Sequence, residues 1–210
     1  MREKWIVETK KGDFNGLSAK LKVSPLAVRC LMNRGVESEQ EMREFLYGTL
    51  DDLHDPFLMK GMDEAVREIV KAKEQGRKVA IASDFDCDGI FSAYILWKGF
   101  QKIGLDSEIF TPDRVKEGYG LNRRIVDEAL AGGRDFLVTC DNGIAANEEV
   151  DYAKKLGMTV IVTDHHEVQE QMPNADATLD PKRDDEAYPF RGLCGACLLY
   201  TSDAADDRIS

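Results

Sequence analysis

The stretch VAIASDFDCDG, Val79 to Gly89, decides how this chain is read. A short apolar run ends abruptly, and acids follow at Asp84, Asp86 and Asp88. Such a run, bounded by a polar turn, reads as a strand buried on both faces, as in a parallel sheet. The same pattern recurs downstream. Strand-like runs cover 78–83, 106–111, 135–140 and 158–163, and helical stretches at 90–104, 122–133 and 147–157 separate them. Strands alternating with helices predict an α/β fold: an open, mostly parallel sheet with flanking helices.

Upstream the pattern is helical. Ser24 and Pro25 open one helix that Gly35 stops, and Ser38 with Glu41 forms a capping box for another. Leu26, Val28, Leu31 and Met32 suit a small helical bundle. The Pro-containing segment LHDPFLMKGM leads to a helix whose apolar face carries Ala65, Val66, Ile69 and Val70. The expected organisation is a helical region over 1–62, an α/β domain over 63–196 and a non-native tail over 197–210. His54 reads as a turn or packing residue.

The chain has 210 residues, 43% of them hydrophobic, enough for a buried core. Its formal charge of -11 provides no global basic field, so any nucleic-acid site must be local. The first residues lack an apolar leader segment, and no window approaches the roughly 18 apolar residues of a membrane span. A cytoplasmic protein without membrane contact is expected. Cys30, Cys87, Cys140, Cys194 and Cys197 are scattered and read as free thiols.

Three strands end alike. Ser83 gives way to Asp84, Asp86 and Asp88; Cys140 to Asp141, Asn142 and Gly143; Thr163 to Asp164, His165 and His166. One D-x-D alone also serves as a helix cap or a solvated turn, but the carboxyl ends of parallel strands share one crevice. Carboxylates about 4 Å apart repel by roughly 4 kcal/mol at an effective dielectric of 20, and divalent cations offset this directly. Carboxylate oxygens with imidazole nitrogen suit Mn²⁺, with Mg²⁺ or Zn²⁺ as substitutes. The acids suffice for two ions bridged by one carboxylate, an arrangement that activates water for phosphoester hydrolysis. No glycine-rich dinucleotide or P-loop motif follows any strand. The D-x-D of haloacid-dehalogenase phosphatases expects Thr or Val where Asp88 stands, and it leaves the paired histidines unexplained.

These residues resemble the DHH phosphoesterase family. SDFDCDGIFSA, VTCDNGI, VIVTDHHE and LDPKRDDEAYPFRGLCGA follow in the family's order, while TPDRVKEGYGLN, PLAVRCLMNRGV and LHDPFLMKGMDEAV resemble its RecJ-like branch of single-strand-specific exonucleases. The resemblance spans residues 5 to 196. It implies 5′ to 3′ hydrolysis of single-stranded DNA in recombination and repair with Mn²⁺ or Mg²⁺, two ions in all. Asp84, Asp86 and Asp88 would hold metal, Asp141 would bridge the ions, and His165 would be a further ligand. His166 would contact the scissile phosphate or assist the leaving group, and Asp164 would orient a histidine. Arg114 and Arg183 would hold the DNA backbone and Tyr119 would stack a base. A helicase and a single-strand-binding protein are the implied partners.

The stretch CLLYTSDAADDRIS, 197–210, departs from the glycine and apolar helix the family carries there. The family would continue past this stretch into a further metal-binding Asp and later domains. The 210-residue chain by itself is therefore expected to bind metal weakly and to show little exonuclease activity. Two other readings compete. A DHH phosphodiesterase of short oligonucleotides or cyclic dinucleotides shares the cage, and rates on long single strands against dinucleotides separate it. A silent DHH-fold scaffold would lack metal ligands.

Overall fold

The computed structural model describes residues 10–206, with side chains described through Tyr200. Two compact units divide between Leu53 and His54, ahead of the boundary expected after Met62. The connector groups with the sheet because Pro56 and Met59 are buried and His54 packs edge-on to Tyr188, ring centroids 5.8 Å apart.

The first unit contains α1 (Phe14–Leu21), α2 (Pro25–Asn33) and α3 (Glu39–Tyr47) around Leu21, Val28, Leu31, Met32 and Met42. Ser24 Oγ accepts the Ala27 N–H at 3.2 Å, and Ser38 and Glu41 form the expected capping box. Each cap satisfies an amide that the first helical turn leaves unpaired.

The second unit holds α4 (Met62–Glu74), β1 (Val79–Ser83), α5 (Cys87–Lys102), β2 (Ser107–Phe110), α6 (Arg123–Ala131), β3 (Phe136–Cys140), α7 (Asn147–Lys155), β4 (Thr159–Thr163), β5 (Ala177–Leu179) and α8 (Gly195–Asp206). All the strand pairings are parallel, in the order β2-β1-β3-β4-β5. Alternate residues feed two cores. Val79, Ile81, Phe136, Val138 and Ile161 pack with α4, α5 and α8, whereas Ala80, Ala82, Leu137, Val160 and Val162 pack with α6 and α7. Burial on both faces explains why these strands read as continuous apolar runs.

β5 was not expected from sequence. Its three residues sit between polar turns and form a strand only because β4 offers an edge. The helix α8 runs on through the segment expected to be a tail, and Leu198 and Leu199 are buried in the α4/α5 core. The order reverses beside β1: β2 lies on one side and β3 on the other. The chain therefore leaves β1 and β3 toward opposite faces, opening a crevice at their carboxyl ends.

Candidate metal centre

Asp84 follows β1 directly and is buried, with Oδ1 lacking a hydrogen-bond partner among the described residues. Asp86 caps α5, its Oδ1 accepting the Gly89 N–H at 3.0 Å. Gly89 permits this tight entry, since a Cβ there would lie 2.5 Å from the Asp84 carbonyl oxygen. Asp141 follows β3 with φ 59°, a left-handed conformation uncommon for non-glycine residues, and its side chain is 2% exposed. Beside it, Asn142 Nδ2 donates to the carbonyls of Ala82 and Cys140 at 3.0 and 2.9 Å, tying the ends of β1 and β3 together.

From β4, Asp164 turns inward. Its Oδ2 accepts the Ile144 N–H at 2.9 Å and its Oδ1 accepts the His165 N–H at 2.7 Å. The same Oδ1 lies 2.7 Å from His166 Nδ1. His165 Nε2 lies 2.8 Å from Asp141 Oδ1 and 3.3 Å from Asp88 Oδ2. The two imidazoles, with centroids 4.5 Å apart, thus turn to different acids.

Two groups have ligand atoms within 4.8 Å of one another: Asp84, Asp86 and Asp141, and Asp141, His165 and His166. Asp141 belongs to both. The donor set fits hard or borderline divalent cations, and the unpartnered buried Asp84 Oδ1 is a group that a cation would satisfy.

The electrostatics agree with that fit. Burial, then the charges of Asp88 and Asp86, pushes the Asp141 carboxyl up to about 7. Burial also raises Asp84. Asp88 moves the other way: burial would raise it, but the Ala196 and Gly195 amides, each donating at 2.8 Å, hold it below the usual range. The histidines separate too. Burial, joined by His166, lowers His165, whereas His166 is raised because its bond to Asp164 and that acid's charge outweigh burial.

Asp84, Asp86, Asp141, Asp164, His165 and His166 therefore come together as the sequence predicts. Asp88 reaches His165 but stands outside both groups of mutually close ligand atoms, its oxygens occupied by α8. Arg183 requires a correction. Its side chain is 9% exposed and its guanidinium binds Asp185 at 2.9 Å and the Thr178 carbonyl at 2.7 Å, so it braces the loop after β5 instead of facing a DNA backbone. Arg114 is exposed with its guanidinium 5.1 Å from the centroid of the Phe85 ring, beside the acids. Tyr119 is 54% exposed, and its hydroxyl donates to the Asp141 carbonyl at 2.7 Å.

Sequence reasoning missed Asp180. It ends β5 as the other acids end their strands, is fully buried, and leaves Oδ2 unpartnered among the described residues. Burial, with the charge of Asp164, pushes it up to about 7. The repeated strand-end acid was the available signal.

Residues 78–207 match the model of the DHH family, N-terminal domain. The chain is 37% identical over 198 residues to the single-stranded-DNA-specific exonuclease RecJ of Bacillus subtilis (strain 168), covering 94% of this chain and 25% of that protein. It is 34% identical over 177 residues to the protein of the same name from Escherichia coli (strain K12), covering 84% and 30%. The chain thus spans about a quarter of the length of these relatives. A crystal structure of exonuclease RecJ bound to manganese matches with TM-score 0.65 and 30% identity, covering 72% of this chain and 39% of that one. RecJ in complex with Mn²⁺ from Thermus thermophilus matches with TM-score 0.68 and 26% identity, covering 93% and 27%.

Proposed function

Since the chain belongs to the DHH family, we propose that its protein is a metal-dependent exonuclease hydrolysing the phosphodiester bonds of single-stranded DNA from the 5′ end. The observation that carries this reading is the pair of three-residue ligand groups sharing Asp141. When bound there, two divalent cations, Mn²⁺ or Mg²⁺, would supply charge neutralisation and an activated water for in-line displacement.

The residues divide the remaining work. Asp84 and Asp86 would hold one cation and His165 the other, with Asp141 in reach of both. Asp88 steadies His165 from 3.3 Å. Burial lowers the basicity of His165, the direction a metal ligand requires. His166, whose Nδ1 lies 2.7 Å from Asp164 Oδ1, is oriented by that acid and would contact the scissile phosphate or assist the departing oxygen. Arg114 sits where a DNA backbone would approach, and the exposed Tyr119 ring offers a stacking surface. The reading extends to a cytoplasmic enzyme of DNA repair and recombination, with a helicase and a single-strand-binding protein as partners. Its support is the substrate named for the relatives.

The test uses the complete protein with Mn²⁺, 5′-labelled and 3′-labelled single strands, duplex DNA, and dinucleotides. The expected result is release of mononucleotides from the 5′ end of single strands, abolished by chelation and by Asp141→Asn. Preference for dinucleotides would replace the exonuclease with a short-oligonucleotide phosphodiesterase. Metal-independent strand binding without hydrolysis would leave a scaffold.

A further inference from the structure

We infer that Tyr119 is a positioning residue of the metal centre, acting through its hydroxyl on the backbone of Asp141; this rests on the two-cation reading above. Asp141 must do two things. It must place one carboxylate in reach of both ligand groups, and it does so from a left-handed backbone conformation, φ 59°, that favours glycine. A strained residue persists only where its surroundings over-determine it. Asn142 and the Ile144 amide fix the chain on the far side of Asp141. The Asp141 carbonyl itself receives the Tyr119 hydroxyl, at 2.7 Å.

The tyrosine also meets the other catalytic strand end. Its ring lies edge-on to His166, with centroids 5.6 Å apart at 78°, and its oxygen is 3.1 Å from His166 Nδ1. One hydroxyl therefore touches both the bridging residue after β3 and the histidine after β4. The segment that delivers it is built for close placement. Gly118 and Gly120 both have left-handed φ, 81° and 83°, so the turn projects Tyr119 between them. Glu117 and Arg124 pin the approach, their ion pair holding the Glu117 carboxyl down to about 2.

The hydroxyl role is separable from any stacking by the ring. Tyr119→Phe keeps the ring and removes only the donor. Tyr119 lies outside the hydrophobic cores, so the variant retains the fold, which circular dichroism and the melting temperature of the metal-free protein verify. The experiment titrates Mn²⁺ into the complete protein, parent and variant, following free Mn²⁺ by electron paramagnetic resonance, and then measures kcat and KM on single-stranded DNA. The expected result is Mn²⁺ binding weakened about fivefold to tenfold by loss of one hydrogen bond. Metal-free melting is expected to be unchanged, and kcat to fall more than KM rises. A merely structural residue would shift melting and leave Mn²⁺ affinity alone, and that result overturns the inference. Equal Mn²⁺ affinity and equal kcat in parent and variant overturn it as well, leaving the two-cation reading intact. Failure of the parent to bind Mn²⁺ overturns that reading and this inference with it.

Discussion

The two ends of one sheet treat charge in opposite ways. At the amino ends, acids are matched with bases. Arg77 binds Asp135 at 3.0 Å and Thr159 Oγ1 at 2.9 Å, Arg134 binds Asp106 and Glu108 at 3.0 and 2.9 Å, and Lys154 binds Asp176 at 2.6 Å. At the carboxyl ends, Asp84, Asp141, Asp164 and Asp180 are buried, and no Lys or Arg ion pair neutralises them among the described residues. The first arrangement stabilises the folded chain by itself. The second is left unbalanced and awaits charge from outside, so stability and function occupy opposite rims of the same strands.

The sharpest way to break the comparison is Asp141→Asn. Asparagine tolerates the left-handed backbone and keeps the volume, but it removes the shared negative charge. Mn²⁺ affinity should fall at least about a hundredfold, measured by direct titration. Melting of the metal-free protein should not fall, because a buried, repelled carboxylate is relieved. A clear loss of metal-free stability would show that the acidic rim is balanced after all. At the opposite rim, Arg134→Ala should destabilise by about 2 kcal/mol in urea unfolding, since its largely buried guanidinium serves two acids and the Val79 and Asp106 carbonyls. Mn²⁺ affinity should not change.

The pH dependence sharpens the contrast further. Asp180 titrates near 7 in the folded state against an ordinary value of 3.8, so the native protein holds an extra proton between those values and loses stability as pH rises through that window. Asp180→Asn should therefore stabilise the metal-free protein at pH 8 by on the order of 1 kcal/mol and have little effect near pH 4, read from melting at each pH. The smallest effect belongs to Lys154→Ala. Its partly exposed pair should be worth about 0.5 kcal/mol, and a value of several kcal/mol would show that the amino rim is far more tightly coupled than surface ion pairs are.

Much of this was legible in the sequence because it is local. Apolar runs at 78–83 and 158–163 announce strands buried on both faces, and an acid after each announces the crevice. β5 was not legible, because three residues carry no period and depend on the edge of β4. The wiring within the site was equally hidden. Nothing near Tyr119 points to the Asp141 carbonyl, and nothing near Asp88 points to the amides of Gly195 and Ala196. Arg183 misled because a basic residue in a site motif invites a phosphate reading, whereas Asp185, two positions on, already supplied its counterion.

The bond between Asp88 and the start of α8 has a kinetic side. The Asp88 carboxylate takes amides that lie 107 and 108 residues further along the chain. Closing a contact of that sequence separation costs more chain entropy than pairing β1 with β3 or β3 with β4, so it is expected to form after them. Refolding should therefore pass through a stage in which the sheet is assembled and the acids are gathered, while Asp88 is still free to swing into solvent. A cation that arrives at this stage meets a His165 that still lacks its contact with Asp88. Stopped-flow refolding with Mn²⁺ added at increasing delays should show high-affinity capture lagging behind the sheet signal, by the time α8 needs to dock.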